Sequence, residues 1–304
     1  MSVVVDAMAP FVAAALMAMA LGWIAGPARE PPVAGLILFW SDRGQPGPSL
    51  WAMRPDGSDQ HLVYRSFANA KRPALSPDGA WVAFDGASPG KRPFSDFDVQ
   101  IVRTDGTDRR TVAGTTANEV DAQWSPDGET LSFSRWSRSA DWRSSSVWTV
   151  RSDGTGLHRI GRGLSARWSP DGKRLVLGAP TKGSDGDLFL VRSDGSGRRR
   201  LTSTIALEQP AGWSPDGRKL LVTRYRVDGT TEIVVMRADG THARTLFRTS
   251  GSEASAAAWS PDGSQIAYTA YARGHAQVFV MGADGSHRHN ISRSRNDDIA
   301  TSWR

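Results

Sequence analysis

Cysteine is absent from all 304 residues. That excludes disulfides, thiolate metal ligands, a cysteine nucleophile and a lipidated cysteine. Helical periodicity is absent as well: no stretch after residue 34 spaces its apolar residues as an amphipathic helix does. There is no GxxxxGK[ST] phosphate loop, no HExxH pair and no EF-hand loop. One GxSxG match, Gly86–Gly90, places Pro89 after Ser88. A serine-hydrolase elbow needs the N–H of that following residue for its oxyanion hole, and proline has none. The match is therefore read as chance. No catalytic motif, cofactor or metal site is expected.

The N-terminus lacks charge. Residues 7–26 contain no ionisable side chain, and the six residues before them hold Asp6 but no Lys or Arg. Twenty such residues can cross a bilayer, and Ala18-Met19-Ala20 has the small-residue spacing of a signal cleavage site. Residues 1–26 are expected to be a signal peptide or an uncleaved membrane anchor, and 27–34 (PAREPPVA) a stiff linker. Residues 35–304 form the folded part. It is expected to be a monomer outside the cytoplasm, touching a membrane only through residues 1–26 if these are retained.

What is abundant is turn chemistry, with 31 Gly and 17 Pro. A hydrophobic fraction of 39% and a charged fraction of 22% suit a packed globular domain. Five segments repeat: ALSPDGAWVAF, QWSPDGETLSF, RWSPDGKRLVL, GWSPDGRKLLV and AWSPDGSQIAY. Their serines, Ser76, Ser125, Ser169, Ser214 and Ser260, stand 49, 44, 45 and 46 residues apart. A second motif interleaves with the first. It is an apolar run closing on x-Asp-Gly, with Asp56, Asp105, Asp153, Asp194, Asp239 and Asp284. In the first motif Pro presets φ and Gly accepts a positive φ. The second is a hairpin signal. One period therefore reads strand a, SPDG, strand b, loop, strand c, x-Asp-Gly, strand d.

Four antiparallel strands per period of about 45 residues make a propeller blade. Six c–d hairpins predict an all-β, six-bladed propeller. Its first blade lacks an SPDG-linked strand a. Ile299–Trp303 has that form, and Trp303 lies 44 residues after Trp259. The C-terminal strand is expected to join the N-terminal blade and close the ring. These WSPDG repeats resemble the WD-like propeller repeat of the TolB family over residues 35–304. The resemblance implies a six-bladed propeller in the cell envelope or outside the cell. Related propellers precede the hydrolase domain of prolyl-oligopeptidase-like peptidases. This chain shows no such domain, and fold does not set function.

Trp124, Trp168, Trp213, Trp259 and Trp303 share one blade position and read as packing between blades. Each strand d is basic: His61; Arg109 and Arg110; His158 and Arg159; Arg198 to Arg200; His242 and Arg244; His287 to His289. Such a belt protects edge strands, and could also meet an anionic surface. A nucleic-acid partner is not expected, because the charge is not gathered on one face with aromatics. Glu119, Glu208 and Asp298 stand five residues ahead of their Trp and are expected to ring one mouth of the central channel. Two b–c loops break the repeat. One is Asp85–Phe97; the other, after Ser134, carries Trp136, Arg138, Trp142 and Arg143. Trp and Arg are favoured interface anchors. The expected role is a protein- or peptide-binding module in the envelope. The alternative is a carbohydrate lyase or hydrolase using the mouth carboxylates.

Overall fold

The computed structural model describes residues 35–43, 49–65, 71–86, 97–137, 142–250 and 254–304. The N-terminal segment and linker lie outside these residues, as does most of the GxSxG stretch. No helix among the described residues is long and apolar enough to cross a membrane.

The fold is an all-β propeller. The first repeat consists of β1 (Ile37–Ser41), β2 (Ser49–Met53) and β3 (His61–Tyr64), with the final strand β24 (Asp298–Trp303) paired antiparallel to β1. The second consists of β4 (Lys71–Leu75), β5 (Trp81–Gly86), β6 (Asp98–Arg103) and β7 (Arg110–Ala113). The third is β8 (Asn118–Trp124), β9 (Thr130–Trp136), β10 (Ser146–Arg151) and β11 (His158–Arg162). The fourth is β12 (Ser165–Trp168), β13 (Arg174–Thr181), β14 (Ser184–Arg192) and β15 (Arg199–Arg200). The fifth is β16 (Leu207–Trp213), β17 (Lys219–Tyr225), β18 (Thr230–Arg237) and β19 (Arg244–Ser250). The sixth is β20 (Ala254–Trp259), β21 (Gln265–Ala272), β22 (His275–Gly282) and β23 (His289–Asn290).

The spacing predicts six separate four-stranded sheets. Four are separate, while the fourth and fifth repeats run as one eight-stranded sheet. The join is a single parallel pairing, Gly186 with Leu207. Glycine permits it, because a Cβ at 186 would lie 2.6 Å from the Leu207 side chain.

Both turn motifs are closed by their own side chains. In each SPDG turn the Ser hydroxyl donates to the Asp carboxylate at 2.5 Å. That carboxylate also accepts the main-chain N–H two residues on, at 3.0–3.1 Å. The Ser oxygen in turn accepts the N–H that opens strand b. The x-Asp-Gly aspartates accept the N–H two residues ahead in the same manner. These bonds hold the turn carboxyls below their usual range, Asp262 at about 2 through Ser260. The repeated aspartates are turn chemistry.

Neighbouring repeats bury one another. Six apolar clusters each draw from two repeats, and one of them joins the first to the last: Ile37, Phe39 and Met53 with Val278, Val280 and Ile291. Three of the repeat tryptophans add a polar link, while the Trp259 indole N–H is buried without a partner. Trp124, Trp168 and Trp213 donate their indole N–H to Ala74, Gln123 and Arg167 carbonyls in the preceding repeat, at 3.0, 3.3 and 3.1 Å. At the outer edge, x-Asp-Gly glycines approach the backbone next door. Gly57 has φ +84°, and a Cβ there would meet the Ile291 carbonyl oxygen at 2.2 Å. Gly57→Ala combines a left-handed φ with a backbone clash. It is expected to cost about 2 kcal/mol or more in urea unfolding. Gly106→Ala, at the matching turn with nothing within 4 Å, should cost about 1 kcal/mol. Equal losses would show that the contact between first and last repeats is not tight.

Candidate functional site

A cavity of about 470 Å³ runs between the innermost strands. Every repeat contributes to it: β4, β8, β12, β16, β20 and β24, with Trp40 and Tyr225 from neighbouring strands. Irregular register marks most of these inner strands, between Lys71 and Ala74, Val120 and Gln123, Pro210 and Gly212, and Ala256 and Ala258. A bulge adds an unpaired residue and re-aims its side chain. At two of them the added residues are Arg72 (φ +49°) and Asp121 (φ +59°), and both line the cavity.

Those two belong to an ionic chain that crosses repeats. Arg72 donates to the buried Asp85 carboxylate at 2.6 Å. Asp85 also accepts the Asp121 main-chain N–H at 3.0 Å. The Asp121 carboxylate meets Arg167 at 3.0 Å, and Arg167 Nε donates to the Ala211 carbonyl at 3.2 Å. Arg304 reaches the Leu75 carbonyl, while its Nε is buried without a partner. The wall is thus polar and net cationic, with Arg72, Arg167 and Arg304 against Asp121. Sequence reading missed these residues. The available signal was a charge inside a strand a, at Arg72, Asp121 and Arg167, where other repeats carry small or apolar side chains.

The expected acidic mouth differs from what folds. Glu119, Glu208 and Asp298 are wholly buried. Glu119 faces Arg135 across the β8–β9 ladder at 2.8 Å and accepts Thr115 Oγ1 at 2.5 Å. Glu208 faces Arg224 in the same register at 2.9 Å. Asp298 takes Arg43 through both carboxylate oxygens, Nε at 3.0 Å. Burial pushes the Glu119 carboxyl up, while Thr115 and Arg135 pull it down. Each charge is neutralised within its own repeat, so these three present neither an acid–base pair nor a free anionic ring to solvent. Buried pairs of this kind orient the strands that hold them.

Trp136 ends β9 half-buried, its indole N–H without a partner. Arg143 sits in the short 3₁₀ turn Trp142–Ser144 and pairs with Asp185 at 2.6 Å. Arg138 lies outside the described residues, as does the Trp142 side chain. On this loop end, large apolar groups stand in solvent: Ile205 at 71%, Val227 at 75% and Tyr271 at 52% exposure. Part of the basic belt is stacked or paired. Arg198 lies over Phe189 at 4.1 Å, Arg110 over Trp81 at 4.7 Å, and Arg200 bonds Asp187 at 2.6 Å. No cluster of three or more His, Asp or Glu able to hold a metal occurs among the described residues.

Residues 209–304, about a third of the chain, match the family described as TolB beta propeller domain. TolB from Acinetobacter baumannii superposes with a TM-score of 0.72 at 19% identity, over 88% of this chain and 66% of that one. The chain carries a TolB-like propeller. A putative TolB from Agrobacterium tumefaciens gives a TM-score of 0.64 at 19% identity, covering 88% and 93%. Oligogalacturonate lyase in complex with manganese is similar at a TM-score of 0.56 and 14% identity, covering 86% and 74%. No curated protein matches. At these identities the solved structures speak for the TolB-like fold alone. The chain spans just under two thirds of the Acinetobacter protein.

The cavity wall generates a pH test. Burial raises the Asp85 carboxyl from its ordinary 3.8 to about 6, against the pull of Arg72. An acid raised in the fold stabilises it below the unfolded pKa, and that stability is lost as pH rises through the folded value. Across this window the wild type is expected to lose up to about 3 kcal/mol relative to Asp85→Asn. The turn aspartates, common to both proteins, act at lower pH and cancel in the difference. Urea unfolding of the pair at several pH values between these limits measures it. A pH-independent difference would refute the raised carboxyl.

Proposed function

We propose that this chain is an extracytoplasmic module that binds a protein or peptide partner at the loop end of its channel, without catalysis of its own. The same reading makes it a six-bladed propeller whose ring is closed by β24. The single observation that carries the binding role is the cavity, which all the inner strands line; exposed Ile205, Val227 and Tyr271 stand in or beside the connections at the loop end of the strands. Exposed large apolar groups around a polar opening suit a chain segment that buries side chains at the rim and hydrogen-bonds its backbone within. The b–c segment with Trp136, Arg138, Trp142 and Arg143 is assigned to the same contact surface. Glu119, Glu208 and Asp298 hold the strand ends beneath it. The uncharged stretch 7–26 supports export.

Six blades are supported by the strand sets: four sheets of four, and an eight-stranded sheet joined at one residue pair. Closure is supported by the β1–β24 ladder and by the apolar cluster shared between the first and sixth repeats.

Two measurements test the proposal. Removing residues 299–304 takes away β24 and Trp303, and should lower the melting temperature by roughly 10 °C or more. An unchanged melt would overturn closure. For binding, a photo-crosslinking side chain at Tyr271 is expected to trap one discrete envelope partner. Val227→Asp should abolish the adduct, and a probe at Arg159, on the outer edge, should not form it. Equal labelling from both probes would sink the mouth as the binding site.

A further inference from the structure

A second concavity lies at the opposite end of the strands, among the tight turns. It has a volume of about 560 Å³ and sits where the fourth and fifth repeats meet. Its lining includes Arg174, Arg199, Arg218, Lys219 and Arg237, over Leu190 and Ala238, with Asp239 as the single carboxylate. The five cations outnumber the three turn carboxylates that feel them, Asp171, Asp216 and Asp239, and concave walls focus the remaining positive field.

None of the five side chains makes a salt bridge or hydrogen bond among the described residues. The nearby turn carboxylates Asp171, Asp216 and Asp239 feel their field, but each is held by its own turn through Ser169, Ser214 or Thr241. Elsewhere the chain pairs its buried-end arginines: Arg200 takes Asp187, and Arg224 takes Glu208. Arg199 is left over by alternation, since its neighbour Arg200 points to the other side of the strand. Arg174 lies over Trp213 at 5.3 Å, and Lys219 over Trp259 at 6.0 Å, which directs their stems.

The cluster departs from the repeat. The two residues after SPDG are Ala80-Trp81, Glu129-Thr130 and Ser264-Gln265 in three repeats. In the fourth and fifth they are Lys173-Arg174 and Arg218-Lys219. Turn geometry is the same in all five, so the basic pairs answer no structural need of the turn.

We propose that this groove binds clustered phosphate oxyanions, with Arg199, Arg218 and Arg237 as guanidinium forks and Arg174 and Lys219 at its sides. Guanidinium matches two oxygens of one phosphate at once, and several forks in one concavity favour a multiply charged ligand. A single-stranded nucleic acid would use aromatic faces for its bases. Here Trp213 and Trp259 are covered by Arg174 and Lys219. The site is independent of partner binding at the channel mouth.

The test titrates inorganic tripolyphosphate into the full chain at low salt, by calorimetry, and in parallel measures co-sedimentation with phosphatidylglycerol vesicles. One-to-one binding that weakens steeply with salt is expected. Arg218→Glu with Lys219→Glu should weaken it by at least about tenfold, and the milder Arg199→Ala by several-fold. Arg295→Glu makes the same kind of charge change at the loop end and should leave affinity unchanged. Groove-dependent binding of tripolyphosphate assigns the site to a free polyphosphate. Groove-dependent binding to vesicles alone assigns it to lipid headgroups. The proposal is overturned if neither probe binds, or if Arg295→Glu weakens binding as much as the groove variants do.

Discussion

A twisted four-stranded sheet has two apolar faces, and the described residues include no α-helix to cover either, so each repeat depends on its neighbours. The repeat tryptophan is where that dependence is most specific. Its ring fills the seam, and at Trp124, Trp168 and Trp213 the indole N–H reaches the carbonyl just ahead of the equivalent residue one repeat back. A large side chain thus loses no hydrogen bond on burial. Six interface clusters follow the same logic, including the one that brings the first and last repeats together.

That regularity makes the departures informative. Most inner strands are bulged rather than straight, and the bulges turn Arg72 and Asp121 out of the ladder and into the cavity. Their left-handed backbone is unfavourable for such residues. It is stabilised by the chain of bonds through Asp85, Asp121 and Arg167 that ties three repeats together across the cavity wall.

Charge is partnered unevenly over the molecule. At the loop end, Glu119, Glu208 and Asp298 are sealed against arginines one strand away. Around the outside, Arg110 and Arg198 rest on aromatic rings. At the turn end, five cations of the fourth and fifth repeats face one concavity, and no salt bridge within 4 Å joins any of them to a carboxylate among the described residues. The net charge of +6 is therefore not a diffuse property of the surface.

Local chemistry was legible in the sequence because each turn closes on itself. Ser–Asp bonds and positive-φ glycines span only a few residues, so SPDG and x-Asp-Gly announced the strands, their order and their period. The family resemblance rested on those same motifs, and the tryptophan role followed from their register. Tertiary structure decided what the sequence could not. Whether Glu119 stays free or meets Arg135 depends on a cross-strand register 16 residues away. Arg72 lines a cavity because of a bulge, and no local motif marks a bulge. The fusion of two sheets at Gly186 and Leu207, and the gathering of Arg174, Arg199 and Arg218 in one groove, arise from how repeats are set side by side. A short-range pattern encodes each blade, whereas the neighbours of a charge are set by packing between blades.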